Sequence, residues 1–90
     1  GVTAVVDDNQ VIGIITDGDI RRMLNDRDTF FDLTAIDIMT KNPKNINSSI
    51  LVSEALNVLE NNAITQLVVI DNNEYKGIIH LHDILKEGIV

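Results

Sequence analysis

Ninety residues make one small domain or two very small repeats, and a chain this short buries only about 60–65% of its unfolded surface, so its core gives marginal stability alone. A formal net charge of −7, no basic stripe and only three aromatic residues, Phe30, Phe31 and Tyr75, exclude DNA or RNA binding through phosphate neutralisation or base stacking. The absence of cysteine excludes disulfides and cysteine-ligated zinc, and no apolar run approaches the roughly 18 residues of a membrane span.

Val and Ile are abundant while Gly and Pro are not, which points to an α/β domain. Gly1 opens directly on a strand-like run, without initiator Met or signal peptide, so the expectation is a fragment of a larger cytoplasmic protein. Thr3 to Val6 is a β-branched run that reads as a buried strand. Asp7-Asp8-Asn9-Gln10 reads as a hairpin turn, because Asp and Asn accept left-handed dihedrals. Val11 to Thr16 is the return strand, in which Gly13 predicts a bulge or a close backbone approach. Asp17 to Leu24 is a short helix, capped by Asp17 or Gly18, with Asp19 in its first turn. Residues 26–34 read as a polar linker with Phe30-Phe31 as a hydrophobic anchor.

Ala35 to Met39 predicts a helical turn, broken at Asn42-Pro43, and Asn45-Ile46 a short strand. Val52, Ala55, Leu56 and Leu59 fall at i, i+3, i+4 and i+7, one apolar stripe of a helix from about residue 51 to Asn62. A second hairpin follows: strand Leu67–Ile70, turn Asp71-Asn72-Asn73-Glu74 and strand Tyr75–His80. A short helix, His82–Glu87, closes the chain.

The two hairpins repeat one pattern at an offset of 64 residues. Val5, Asp7, Asn9, Gly13, Ile14, Ile15, Asp19 and Ile20 fall without a gap on Val69, Asp71, Asn73, Gly77, Ile78, Ile79, Asp83 and Ile84. Asp7, Gly13 and Asp19 are not aliphatic, so chance matching among Val and Ile does not explain them. The second copy, residues 35–90, reads strand, helix, strand, strand, helix. The first, residues 1–25, shows only the last three elements.

Gly13-Ile14-Ile15-Thr16-Asp17-Gly18-Asp19, a Gly-led strand followed by a hydroxyl residue, two spacers and an Asp opening a helix, resembles the CBS domain, usually found as a tandem pair. The stretch from Gly13 to Arg22, together with Asp37-Ile38-Met39-Thr40, Glu54-Ala55-Leu56-Asn57 and Gly77 to Leu85, is similar to the D-arabinose 5-phosphate isomerases. The resemblance implies an α/β (α+β) fold of two pseudo-twofold β-α-β-β-α repeats, the first truncated at its N-terminus. It also implies a parent enzyme that joins a sugar-isomerase domain to a C-terminal regulatory pair. That family interconverts ribulose 5-phosphate and arabinose 5-phosphate on the route to Kdo, an acidic sugar of lipopolysaccharide and some capsules.

The resemblance assigns Thr16 and Asp19 to ligand hydroxyls or phosphate, whereas the plainer reading of a hydroxyl and a carboxylate at a strand-to-helix junction is capping. Arg21 and Arg22 suit phosphate or carboxylate as guanidinium forks, or are solvated helix residues. Lys41 and Lys44 are further charge partners. His80, His82 and Asp83 replace Thr16, Gly18 and Asp19 in the second copy and form a second candidate cleft, or else cap and pack. His-x-His with Asp is a weak zinc signal without more ligands, and no metal is expected. The expected ligand is a nucleotide or sugar nucleotide between the repeats near Thr16, Asp19, His80 and Asp83. CMP-Kdo is the effector the pathway implies, and an adenine nucleotide its rival. No catalytic set is legible, so the fragment itself is not expected to be an enzyme. The remaining reading is a structural pairing module without ligand. In either case a homodimer is expected, within a candidate tetrameric parent.

Overall fold

The hairpin residues dictate the framework of each half. In the computed structural model, which describes residues 1–26 and 31–87, β1 (Val2–Asp7) pairs antiparallel with β2 (Gln10–Thr16). Between them Asp8 and Asn9 both take positive φ, 52° and 66°. That is the backbone a two-residue hairpin turn needs to match the strand twist, and Asp and Asn tolerate it. β5 (Gln66–Asp71) and β6 (Glu74–His80) repeat the arrangement around Asn72 and Asn73, φ 51° and 66°. The bulge expected from the strand glycines is present in both hairpins: Val5 pairs with Gly13 but Val6 with Val11, and Val69 pairs with Gly77 but Ile70 with Tyr75. Ile12 and Lys76 are the extra residues.

Two compact units result, Gly1–Pro43 and Lys44–Val90. The first continues from β2 into α1 (Asp17–Asp26), then α2 (Ala35–Ile38) and the two-residue β3 (Thr40–Lys41). β3 pairs antiparallel with β2, Gly13 opposite Lys41 and Ile14 opposite Thr40, so the sheet order is β1-β2-β3. The predicted helical turn is therefore α2, and the strand after it joins the first sheet. A Cβ on Gly13 would lie 2.5 Å from Met39 Sδ and 2.8 Å from the Thr40 carbonyl oxygen. Glycine is needed there because β3 lies against it. Around Gly77 a Cβ would meet nothing within 4 Å.

The second unit runs β4 (Asn45–Ile46), α3 (Val52–Asn62), β5, β6 and α4 (Leu81–Lys86), the strand, helix, strand, strand, helix order read from the sequence. β4 pairs in parallel with β5, giving the order β4-β5-β6. The apolar stripe of α3 buries Ala55 and Leu59 against Ile46, Leu67, Val69 and Ile84. Its N-terminal end is less covered, with Val52 41% exposed. α3 ends on Ala63 in the left-handed conformation, φ 52° and ψ 44°, a C-terminal geometry that glycine adopts more readily.

Burial divides unevenly. Among the described residues, Ile14 is the one buried apolar side chain of the first unit, and the other seven lie in the second. Thr3 and Ile20 are exposed, although their counterparts Leu67 and Ile84 are core residues beneath α3. Phe31, half of the expected anchor, is 91% exposed, and Phe30 lies outside the described residues.

Candidate functional site

Thr16 ends β2 and Asp19 sits in the first turn of α1, and the two side chains bond each other reciprocally. Asp19 Oδ2 accepts from the Thr16 amide at 2.9 Å and from Thr16 Oγ1 at 3.1 Å, while the Asp19 amide donates to Thr16 Oγ1 at 3.2 Å. Thr16 is thus the residue that caps α1, in place of the expected Asp17 or Gly18. A capping box forms because a hydroxyl and a carboxylate three residues apart satisfy amides that the first helical turn leaves open.

The other carboxylate oxygen is also engaged. Asp19 Oδ1 accepts from Thr40 Oγ1 at 2.9 Å and from Arg22 Nη2. An ionised carboxylate offers about four lone-pair positions, and all are filled by this chain's own donors. Asp19 is only 5% exposed. Burial opposes its ionisation, but the bonds from the Thr16 amide, Thr40, Arg22 and the Thr16 hydroxyl outweigh it and hold its pKa below the ordinary carboxylate value.

An open cavity of about 350 Å³ adjoins this cluster within the first unit, lined by Asp19, Arg22, Met23, Asp26, Asp37 and Ile38. Arg22 is the cationic group in that lining and is already turned onto Asp19. Arg21 and Lys41 are exposed. Asp37 belongs to a second Thr-x-x-Asp unit, its Oδ2 accepting from the Thr34 amide at 2.8 Å and from Thr34 Oγ1 at 3.0 Å.

In the second unit His80 stands at the N-cap of α4 without a side-chain capping bond, and the helix starts at Leu81. His82 and Asp83 are exposed, and among the described residues neither carries a side-chain hydrogen bond. Lys44 is exposed, and its carbonyl accepts from the Val68 amide at 3.2 Å. A separate cavity of about 230 Å³, walled by Ile50, Val52, Ala55, Val69, Ile79 and Ile84 with Asn47 and Ser48, opens beside the core of this unit. None of the expected site residues lines it. Among the described residues no group of three or more His, Asp or Glu side chains could hold a metal ion.

The structure therefore gathers Thr16, Asp19 and Arg22 and adds Thr40, while among the described residues Arg21, His82 and Asp83 carry no side-chain hydrogen bond. Sequence reasoning missed Thr40 and the cavity residues Met23, Asp26, Asp37 and Ile38. Asp37 had a signal, since Thr34-Ala35-Ile36-Asp37 repeats the Thr16-Asp17-Gly18-Asp19 spacing. Thr40 had none, lying 21 residues from Asp19.

Comparison with known proteins bears on this geometry. The model of the CBS domain matches residues 1–26 and 35–89. The chain is 48% identical over 90 residues to the uncharacterized protein RP505 of Rickettsia prowazekii (strain Madrid E), across 99% of this chain and 28% of that protein. It is 38% identical over 91 residues to the arabinose 5-phosphate isomerase KdsD of Escherichia coli (strain K12), across 100% of this chain and 28% of the enzyme. The chain thus spans under a third of the length of these relatives. Among solved structures, the CBS domain pair of protein MJ0100 in complex with 5′-methylthioadenosine and S-adenosyl-L-methionine superposes with a TM-score of 0.82 at 26% identity, covering 99% of this chain and 72% of that one. Among the described residues no helix is long and apolar enough to cross a membrane.

Proposed function

The chain belongs to the CBS-domain family, and from that premise we propose that it is the ligand-sensing regulatory module of a sugar-phosphate isomerase of the arabinose 5-phosphate type. The observation that carries this reading is the similarity to KdsD along the whole of this chain. Both matched segments are CBS domain, so the chemistry of isomerisation belongs to another part of such an enzyme. The site class is a nucleotide or sugar nucleotide. The MJ0100 pair, at 26% identity, holds adenosine derivatives, which supports an adenine nucleotide. The resemblance to the arabinose 5-phosphate isomerases, with the route to Kdo that it implies, points instead to CMP-Kdo.

Asp19 remains the proposed holder of the diol and Thr16 of phosphate or sugar oxygens, with Arg21, Arg22, Lys41 or Lys44 against anionic groups. His80, His82 and Asp83 form the counterpart in the second repeat. Feedback would act through different affinities for two arrangements of the parent enzyme. The module works as a homodimer in the cytoplasm. The poorly covered apolar side chains of the first unit, Ile20 and Leu24 at 38% and 53% exposure, favour association. A monomer at micromolar concentration in sedimentation analysis argues against that.

One observation favours the second reading, a structural pairing module. Asp19 is already saturated by its own chain, as a purely structural carboxylate would be. Calorimetry with CMP-Kdo, CMP, AMP and ATP separates the two. Heat with one of them, weakened by Asp19→Ala or Asp83→Ala, supports the sensor. No heat with any of the four leaves the pairing role.

A further inference from the structure

We propose that Asp19 is a ligand-operated latch: a vicinal diol can take its carboxylate only by displacing Thr40 and Arg22, and so loosens the strand that leads out of the first unit. The inference rests on the proposed reading that a diol-bearing ligand meets Asp19, and adds how occupancy becomes movement.

Two of the four bonds on Asp19 are local to the cap and two are not. Oδ2 is committed to Thr16, on the same turn. Oδ1 faces Thr40, 21 residues away, and Arg22, whose side chain is 65% exposed and free to swing into solvent. Oδ1 is therefore the oxygen that an incoming donor can win, and the cavity lined by Asp19 and Arg22 gives it room to enter.

What Thr40 holds is slight. β3 has two residues, paired with Gly13 and Ile14, so its backbone ladder is as short as a strand can be. Met39 and the Thr40 carbonyl lie close enough to Gly13 to exclude a methyl group there. Loss of the Thr40 hydroxyl bond to a buried carboxylate removes a long-range side-chain tie between this short strand and α1. From Lys41 the chain passes through Asn42, at φ 53°, and Pro43 to Lys44, the first residue of the second unit. A change at Asp19 is thus relayed by covalent continuity.

The test uses the whole chain, calorimetry and hydrogen–deuterium exchange of the segment Met39–Lys41, with AMP and CMP as probes beside their 2′,3′-dideoxy counterparts. Without ligand, Thr40→Val should raise exchange of this segment about tenfold while the Leu67–Ile70 strand is unchanged. AMP or CMP should do the same to the wild type, the dideoxy compounds should not, and Thr40→Val should bind the diol ligand about fivefold more tightly. Binding with equal affinity to both chains and no change in exchange overturns the latch and leaves the sensor reading intact. Heat with neither probe on either chain overturns the latch for these ligands together with the nucleotide-sensor reading. Unchanged exchange in ligand-free Thr40→Val overturns the latch regardless of ligand.

Discussion

Asp19 and Asp83 occupy equivalent positions in the two repeats, yet Asp19 is buried under four hydrogen bonds while Asp83 is exposed and, among the described residues, carries no side-chain hydrogen bond. One substitution and one missing neighbour account for the difference. Thr16 can donate to and accept from Asp19, whereas His80 makes no capping bond. Thr40 stands on a strand beside β2, and among the described residues no strand flanks β6 on the corresponding side. Identical residues have become structurally unlike because the groups that bond Asp19 have no counterpart around Asp83.

Stability should separate the two carboxylates. Asp19→Ala leaves the Thr16 amide and Thr40 without their acceptor and should cost about 2–3 kcal/mol in urea denaturation. Asp83→Ala should stay within about 0.5 kcal/mol of wild type. Equal losses would contradict the asymmetry.

The acid limb should carry the same signature. Asp19 has a lowered folded-state pKa, so its contribution is fully present above the unfolded carboxylate value of about 4 and is lost as pH falls through the folded value. The stability gap between wild type and Asp19→Asn should therefore narrow as pH falls below about 4. A gap constant over that range in pH-resolved urea melts would show that ionisation of Asp19 is not what stabilises.

Gly13→Ala should cost about 1–3 kcal/mol, because the new methyl overlaps Met39 and the Thr40 carbonyl oxygen. Gly77→Ala should be neutral or mildly stabilising, since the space is open. Thermal melts read the pair directly, at roughly 4–8 °C per kcal/mol for a chain of this size.

Ala63→Gly should raise stability by about 0.5–1 kcal/mol. Ala63 holds a left-handed conformation at the end of α3, where a Cβ is penalised and glycine is not. A lower melting temperature would place the entropy of the added glycine above the relief of strain.

Local chemistry was legible in the sequence, and long-range pairing was not. The turns at Asp8-Asn9 and Asn72-Asn73 follow from residues that tolerate positive φ, and the stripe through Ala55 and Leu59 identifies α3 and its buried face. β3 left no trace, because two residues have no periodicity and its pairing with Gly13 and Ile14 is fixed by tertiary approach. The candidate site divides the same way. Thr16 with Asp19 is a spacing of three that sequence displays, while the Thr40 bond depends on where β3 falls. That Asp19 would be sheltered and Asp83 left to solvent could not be read from a motif both repeats share.

The uneven core has a calorimetric consequence. Among the described residues, seven of the eight buried apolar side chains sit in the second unit, while the first relies on a hairpin, a capped helix and a few polar ties. Such a chain need not melt as one block. The first unit should be the weaker cooperative segment and should open at lower temperature. Its heat-capacity trace should then be broader than a two-state transition, with a van 't Hoff enthalpy below the calorimetric one. Any effector that engages the first unit would sharpen that trace by raising the weaker half toward the stronger.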